Sequence, residues 1–134
     1  MGLQFRDTIR NAELDAIEST GGTSCALRVY TGAKPADCTQ PNSGTLLVTI
    51  NLPADWMNNA SGGSKTKLGT WSATASGGSG STPGQFRLYN SQATLDGTTC
   101  IEQGDCPGDM SFDGTITAGQ TVTIDTHTLT AGNP

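Results

Sequence analysis

The chain has 134 residues, room for one domain, and carries a net charge of −5 from 7 basic against 12 acidic side chains. Leu, Ile, Val and Phe together supply 22 residues while Thr, Gly and Ser supply 50, a balance that suits short strands and frequent turns around a shallow core. Acidity with singly scattered basic residues argues against a nucleic-acid partner, and no apolar run approaches the roughly 20 residues of a membrane span.

The N-terminus, Met-Gly-Leu-Gln-Phe-Arg-Asp, lacks the apolar stretch of a signal peptide, so synthesis as a soluble cytosolic chain is expected. Residues 4–19 then read as a helix. Phe5, Ile9, Ala12, Ala16 and Ile17 recur at spacings of three or four with Leu14 near the edge of the stripe, and Arg6, Arg10, Glu13, Asp15 and Glu18 are expected to face away from it. Gly21-Gly22 stops the helix. With one apolar stripe it must dock, either on its own domain or on a neighbouring subunit.

Past the glycines the period becomes two. Leu27 and Val29 alternate with Arg28 and Tyr30; Leu46, Val48, Ile50 and Leu52 with Leu47, Thr49 and Asn51; Phe86 and Leu88 with Arg87 and Tyr89. Residues 67–75, 110–112 and 121–130 complete a set of about six or seven strands, with a bulge expected near Asp125 or Thr126, where the parity changes. Asn58 to Ser64 and Ser76 to Gly84 read as loops. No second helix follows a strand, which excludes parallel α/β architectures. The expectation is a mainly β chain: residues 1–22 a helix and hinge, residues 23–134 one antiparallel β-sandwich or jelly-roll-like barrel.

Four cysteines, Cys25, Cys38, Cys100 and Cys106, lack zinc-ligand spacing, and His127 is the sole histidine. Two local disulfides, Cys25 to Cys38 and Cys100 to Cys106, are one reading, the second helped by a turn at Gly104-Asp105-Cys106-Pro107-Gly108. Four reduced thiols are the other, and the sequence does not choose among the three pairings.

Catalytic constellations are sparse. His127 has no Gly-x-Ser-x-Gly elbow to partner it, and the glycine clusters lack the Lys-Ser/Thr of a phosphate loop. Glu102, Asp105, Asp109 and Asp113 are close enough in sequence to suggest a calcium site or a carboxylate pair, or else a solvated acidic turn. Trp56, Trp71, Tyr30 and Tyr89 suggest a sugar-stacking platform, core packing or interface anchors.

The order of segments resembles a family. Arg10-Asn11-Ala12-Glu13-Leu14-Asp15-Ala16-Ile17, then Leu27-Arg28-Val29-Tyr30-Thr31-Gly32-Ala33-Lys34-Pro35-Ala36, is similar to the opening of small structural proteins of tailed bacteriophages and prophages. Gly44-Thr45-Leu46-Leu47, Phe86-Arg87-Leu88-Tyr89-Asn90-Ser91, Asp113-Gly114-Thr115-Ile116, Gly119 to Ile124 and Leu129 to Asn133 continue the likeness in order, and the Cys100 to Cys106 stretch looks like an addition. The resemblance implies a virion component without enzymatic activity or cofactor: a head decoration or cement protein on the capsid surface, with tail or neck placement as the alternative. Its implied partners are the major capsid protein and further copies of this chain, with a host-surface glycan as a rival ligand. Phe5, Ile9, Tyr30, Trp56, Trp71 and Tyr89 are the expected interface residues on this view.

Overall fold

The computed structural model describes residues 3–112 and 114–131. Helix α1 (Asp7–Gly21) precedes eight short strands: β1 (Ala26–Tyr30), β2 (Leu46–Asn51), β3 (Ser64–Thr66), β4 (Trp71–Thr74), β5 (Gln85–Tyr89), β6 (Cys100–Asp105), β7 (Thr121–Ile124) and β8 (Thr128–Thr130). The chain is thus mainly β, with antiparallel sheets and one N-terminal helix among the described residues. A four-stranded sheet runs β2-β1-β5-β6, and two ribbons pair β3 with β8 and β4 with β7.

Parity explains one face of the large sheet. Leu27, Val29, Val48, Ile50, Phe86 and Leu88 share a core with Trp56, Met57, Trp71, Val122 and Ile124. The register between β1 and β2 slips after Val29, which pairs with Val48 while Tyr30 pairs with Leu46. The residue left over, Leu47, is swung inward by this bulge, so Leu47 and Val48 are both buried where strict alternation expects one.

The opposite face is covered too. Every residue of β5 is buried, Gln85, Arg87 and Tyr89 included. Their cover is the irregular segment 31–45, whose base closes where the Thr31 amide donates to the Thr45 carbonyl (3.0 Å). An irregular segment lying over a sheet turns carbonyls without ladder partners toward it, and these need donors. Gln85 Nε2 donates to the carbonyls of Thr31, Ala33 and Ser43 (2.9–3.2 Å). The Arg87 guanidinium donates to the Cys38 carbonyl (2.8 Å), the Gln40 carbonyl (3.0 Å) and Asn42 Oδ1 (2.8 Å). Tyr89 Oη donates to the same Asn42 oxygen at 2.6 Å and lies 2.9 Å from Tyr30 Oη.

Several expectations change. Residues 67–75 are a turn and a strand, β4, preceded by β3, which falls inside the expected 58–64 loop at Ser64. Residues 110–112 form no strand, while Cys100–Asp105, read as part of an acidic turn, is the edge strand β6. The parity change near Asp125 is a full break: β7 pairs with β4 before it and β8 with β3 after it.

The disulfide reading changes as well. Cys100 lies opposite Tyr89 at one end of β6, and the Cys106 amide bonds the Gly84 carbonyl beyond the other end. An extended run of that length separates them by about 20 Å, far outside disulfide reach. Cys25 sits in the core on one face of the sheet, while Cys38 lies in the segment covering the other, so the sheet stands between them. Neither local pairing fits this fold, and all four cysteines are free thiols.

Candidate functional surface

Helix α1 docks on its own domain largely through side chains expected to face away from its apolar stripe. Its N-terminus at Asp7 follows Arg6, which makes no side-chain cap, and Gly22 (φ 81°) ends it with its amide on the Glu18 carbonyl. The side chains that meet the body are the polar ones. Arg10 donates to the Ala131 carbonyl (2.9 and 3.2 Å), Asn11 Oδ1 accepts from the Gly63 amide (2.8 Å), and Asp15 Oδ1 accepts from the Ala60 amide (2.9 Å). A glutamate one turn on, Glu18, accepts from the Met57 amide (3.2 Å).

Lys65 of β3 anchors this contact. Its side chain is 1% exposed, and Nζ lies 2.7 Å from Asp15 and 3.0 Å from Glu18 while donating to the Asn58 carbonyl at 2.9 Å. Burial works against the ammonium charge, but hydrogen bonds and attraction from the two carboxylates outweigh it and hold the Lys65 pKa above its ordinary value. The same Lys65 bond, with help from the Ala60 amide, lowers the pKa of Asp15. Apolar packing joins in at the C-terminal end. Leu14 and Gly21 are buried, and a Cβ on Gly21 would sit 2.9–3.0 Å from Trp56, Cys25 and Ile101.

Of the predicted apolar stripe, Ile17 packs against the core while the rest is left outside. Ile9 is 48% exposed, Phe5, just before the helix, is 42% exposed, and Ala12 and Ala16 face outward with them. A shallow groove of about 240 Å³ continues the stripe between Glu13, Ala16, Ile17, Thr20 and Ile101. Sequence periodicity found these residues and left open whether the stripe docks on its own domain or on a neighbouring subunit; here Ile9, Ala12 and Ala16 stay exposed.

The other predicted anchors lie inside the molecule. Trp56 and Trp71 are fully buried, tilted against each other at 6.4 Å, with indole N–H groups donating to the carbonyls of Gly22 (3.0 Å) and Leu68 (3.1 Å). Tyr30 and Tyr89 are buried under the 31–45 segment. None of the four presents a ring for sugar stacking or for a partner's surface, which corrects the expectation of a platform or interface there.

The acidic residues do not converge. Glu102 turns to the core side and meets His127 Nε2 at 3.2 Å, with the imidazole between Phe86 and Trp71 at 5.6 and 5.8 Å. Asp105 pairs with Lys34 (2.8 Å), and Asp109 accepts from the Asp105 amide (2.9 Å). Asp113 lies outside the described residues. Among the described residues no group of three His, Cys, Asp or Glu side chains is placed to hold a metal ion. Also among them, no helix is long and apolar enough to cross a membrane.

No protein-family model, curated protein or solved structure matches this chain.

Proposed function

We propose that this chain is a virion structural protein of the decoration or cement type, binding the outside of a tailed-phage capsid lattice and stabilising it. The observation that carries this reading is the outward stripe of helix α1. A chain with only 22 large aliphatic or Phe residues has few to spare, yet Ile9, Ala12 and Ala16 are held outward by a dedicated set of polar contacts on the helix's other side. An apolar stripe that is both rigidly presented and uncovered in the monomer suits burial against a partner. In this reading the partner is the major capsid protein, with further copies of the same chain alongside. The four-stranded sheet and the facing β4-β7 ribbon act as the two layers of a small open sandwich that supports the helix. The role is one of contact and requires no catalytic step or cofactor.

Quantitative mass spectrometry of gradient-purified particles tests it. The expected result is capsid-scale copy number for the wild-type chain and near-complete loss of incorporation for the double variant Ile9→Glu, Ala16→Glu. A handful of copies per particle would place the chain at the tail or neck instead, and wild-type incorporation of the double variant would remove the helix from the interface.

A further inference from the structure

Cys38 and Cys100 are 62 positions apart, the difference of their residue numbers, and belong to different parts of the fold. Three contacts bring them together. Arg87 holds the Cys38 carbonyl at 2.8 Å, and two residues along the same face of β5 Tyr89 pairs in register with Cys100. The turn before β6 lies directly against the segment around Cys38: a Cβ on Gly97 would come within 2.4 Å of the Thr39 carbonyl oxygen and 2.7 Å of that of Gln40. The Cys100 thiol donates to the Glu102 carbonyl at 3.3 Å, the Cys38 thiol is near enough to help raise its pKa, and both residues are half-buried. Cys25 and Cys106 share none of this. Cys25 is buried on the far face of the sheet, and Cys106 sits past the other end of β6 beside Asp105 and Asp109.

We infer that Cys38 and Cys100 are a built disulfide site, closing on exposure to a small-molecule disulfide oxidant and stapling the 31–45 segment onto the edge of the sheet. The step balances as thiol–disulfide exchange. One cysteine thiolate attacks a sulfur of the oxidant, releasing its first thiolate and leaving a mixed disulfide; the second cysteine thiolate then attacks the protein-bound sulfur and expels the other. Both cysteine sulfurs are oxidised, the oxidant is reduced to two thiols, and those thiols carry away the two protons. Burial first, then the neighbouring Cys38 thiol, pushes the Cys100 pKa up to about 12, so closure is slow at neutral pH and quickens as pH rises. The pair stays open in a reducing cytosol and closes in an oxidising medium.

The experiment incubates the folded, reduced, full-length chain with oxidised glutathione at pH 8.5 and maps disulfides by non-reducing peptide mass spectrometry. The expected product links the Cys38 and Cys100 peptides, with Cys25 and Cys106 recovered as thiols. Cys38→Ser, checked as folded by circular dichroism, should give no internal link and at most a glutathione adduct on Cys100. The linked form should melt roughly 10 °C above the reduced form. Four thiols without a 38–100 link, or a link from Cys100 to Cys106 or involving Cys25, overturns the site. An unchanged Tm on closure overturns its role as a staple.

Discussion

Arg87 shows how much of this fold rests on one polar side chain. It is fully buried, and its guanidinium reaches two backbone carbonyls and the Asn42 amide oxygen within 3.0 Å, all from the segment that roofs the sheet. Arg87→Met keeps the stem volume but takes their donor from the Cys38 and Gln40 carbonyls and leaves Asn42 Oδ1 with Tyr89 Oη alone. The expected cost is about 3 kcal/mol, seen as a lower urea midpoint with little change in slope. Arg87→Lys should recover only part of that, since a point ammonium cannot reach three acceptors in different directions as a planar fork does. Trp71→Ala gives a second check: with the ring fully buried it should cost about 3–5 kcal/mol, enough to unfold a small domain rather than remove a surface function. At this scale the sequence was half legible. Alternation correctly grouped Leu27 with Val29 and Phe86 with Leu88, and it grouped Arg87 with Tyr89. It could not say what covers the second group, because parity tells which side chains share a face and nothing about an irregular segment folding over it. Polar identity suggested solvent; the donors are there because the roof is made of unpaired carbonyls.

Among the elements, helix α1 makes the sharpest test. Its existence and its end at Gly21-Gly22 follow from periodicity and the glycine stop, and its start lies three residues later than the spacing predicts. Periodicity leaves the docking face open because the deciding partners, Lys65, Ala60, Gly63 and Ala131, are 50 or more residues away in most cases and leave no trace in local pattern. Strand β6 was missed for a related reason. Cys-Ile-Glu-Gln-Gly-Asp has no alternation, and its extended state is imposed by pairing with β5. The charged dock has a pH signature. Asp15 has a folded pKa below its unfolded value of about 3.9, so its contribution is present above pH ~4 and is lost as pH falls through the lower folded value. Lys65 has a folded pKa above its unfolded value of about 10.4, so its contribution is complete below pH ~10 and is lost as pH rises through the higher folded value. Fluorescence of Trp56, whose indole donates to Gly22 at the helix end, should report undocking at both extremes and a plateau between. Lys65→Met should lower stability at pH 7 by about 2 kcal/mol, less than for a fully buried pair because Asp15 keeps solvent contact, and should shrink both limbs of the profile. Retention of the alkaline limb in that variant would count against the assignment.

For the molecule as a whole, the balance between a small core and an uncovered stripe sets the expected stability. Unfolding free energies are small differences between large terms, and a domain that leaves Ile9 and its neighbours in water forgoes part of its own hydrophobic stabilisation. Anything that binds the folded chain and not the unfolded one raises its melting temperature by mass action, so a lattice partner covering the stripe should appear calorimetrically as a Tm well above that of the free protein. The prediction divides cleanly by variant. Ile9→Glu with Ala16→Glu changes outward positions that touch little of the body, so the isolated chain should keep its Tm to within the small change expected of surface substitutions, about 0.5 kcal/mol. On particles, the same variant should lose the increment altogether, and particles lacking the wild-type chain should release DNA at lower temperature or milder osmotic shock. Lys65→Met should do the reverse, lowering the Tm of the isolated chain first and incorporation only as far as the helix undocks. Equal melting temperatures free and bound would mean that no partner covers the stripe, and the outward apolar face would then need another explanation than assembly.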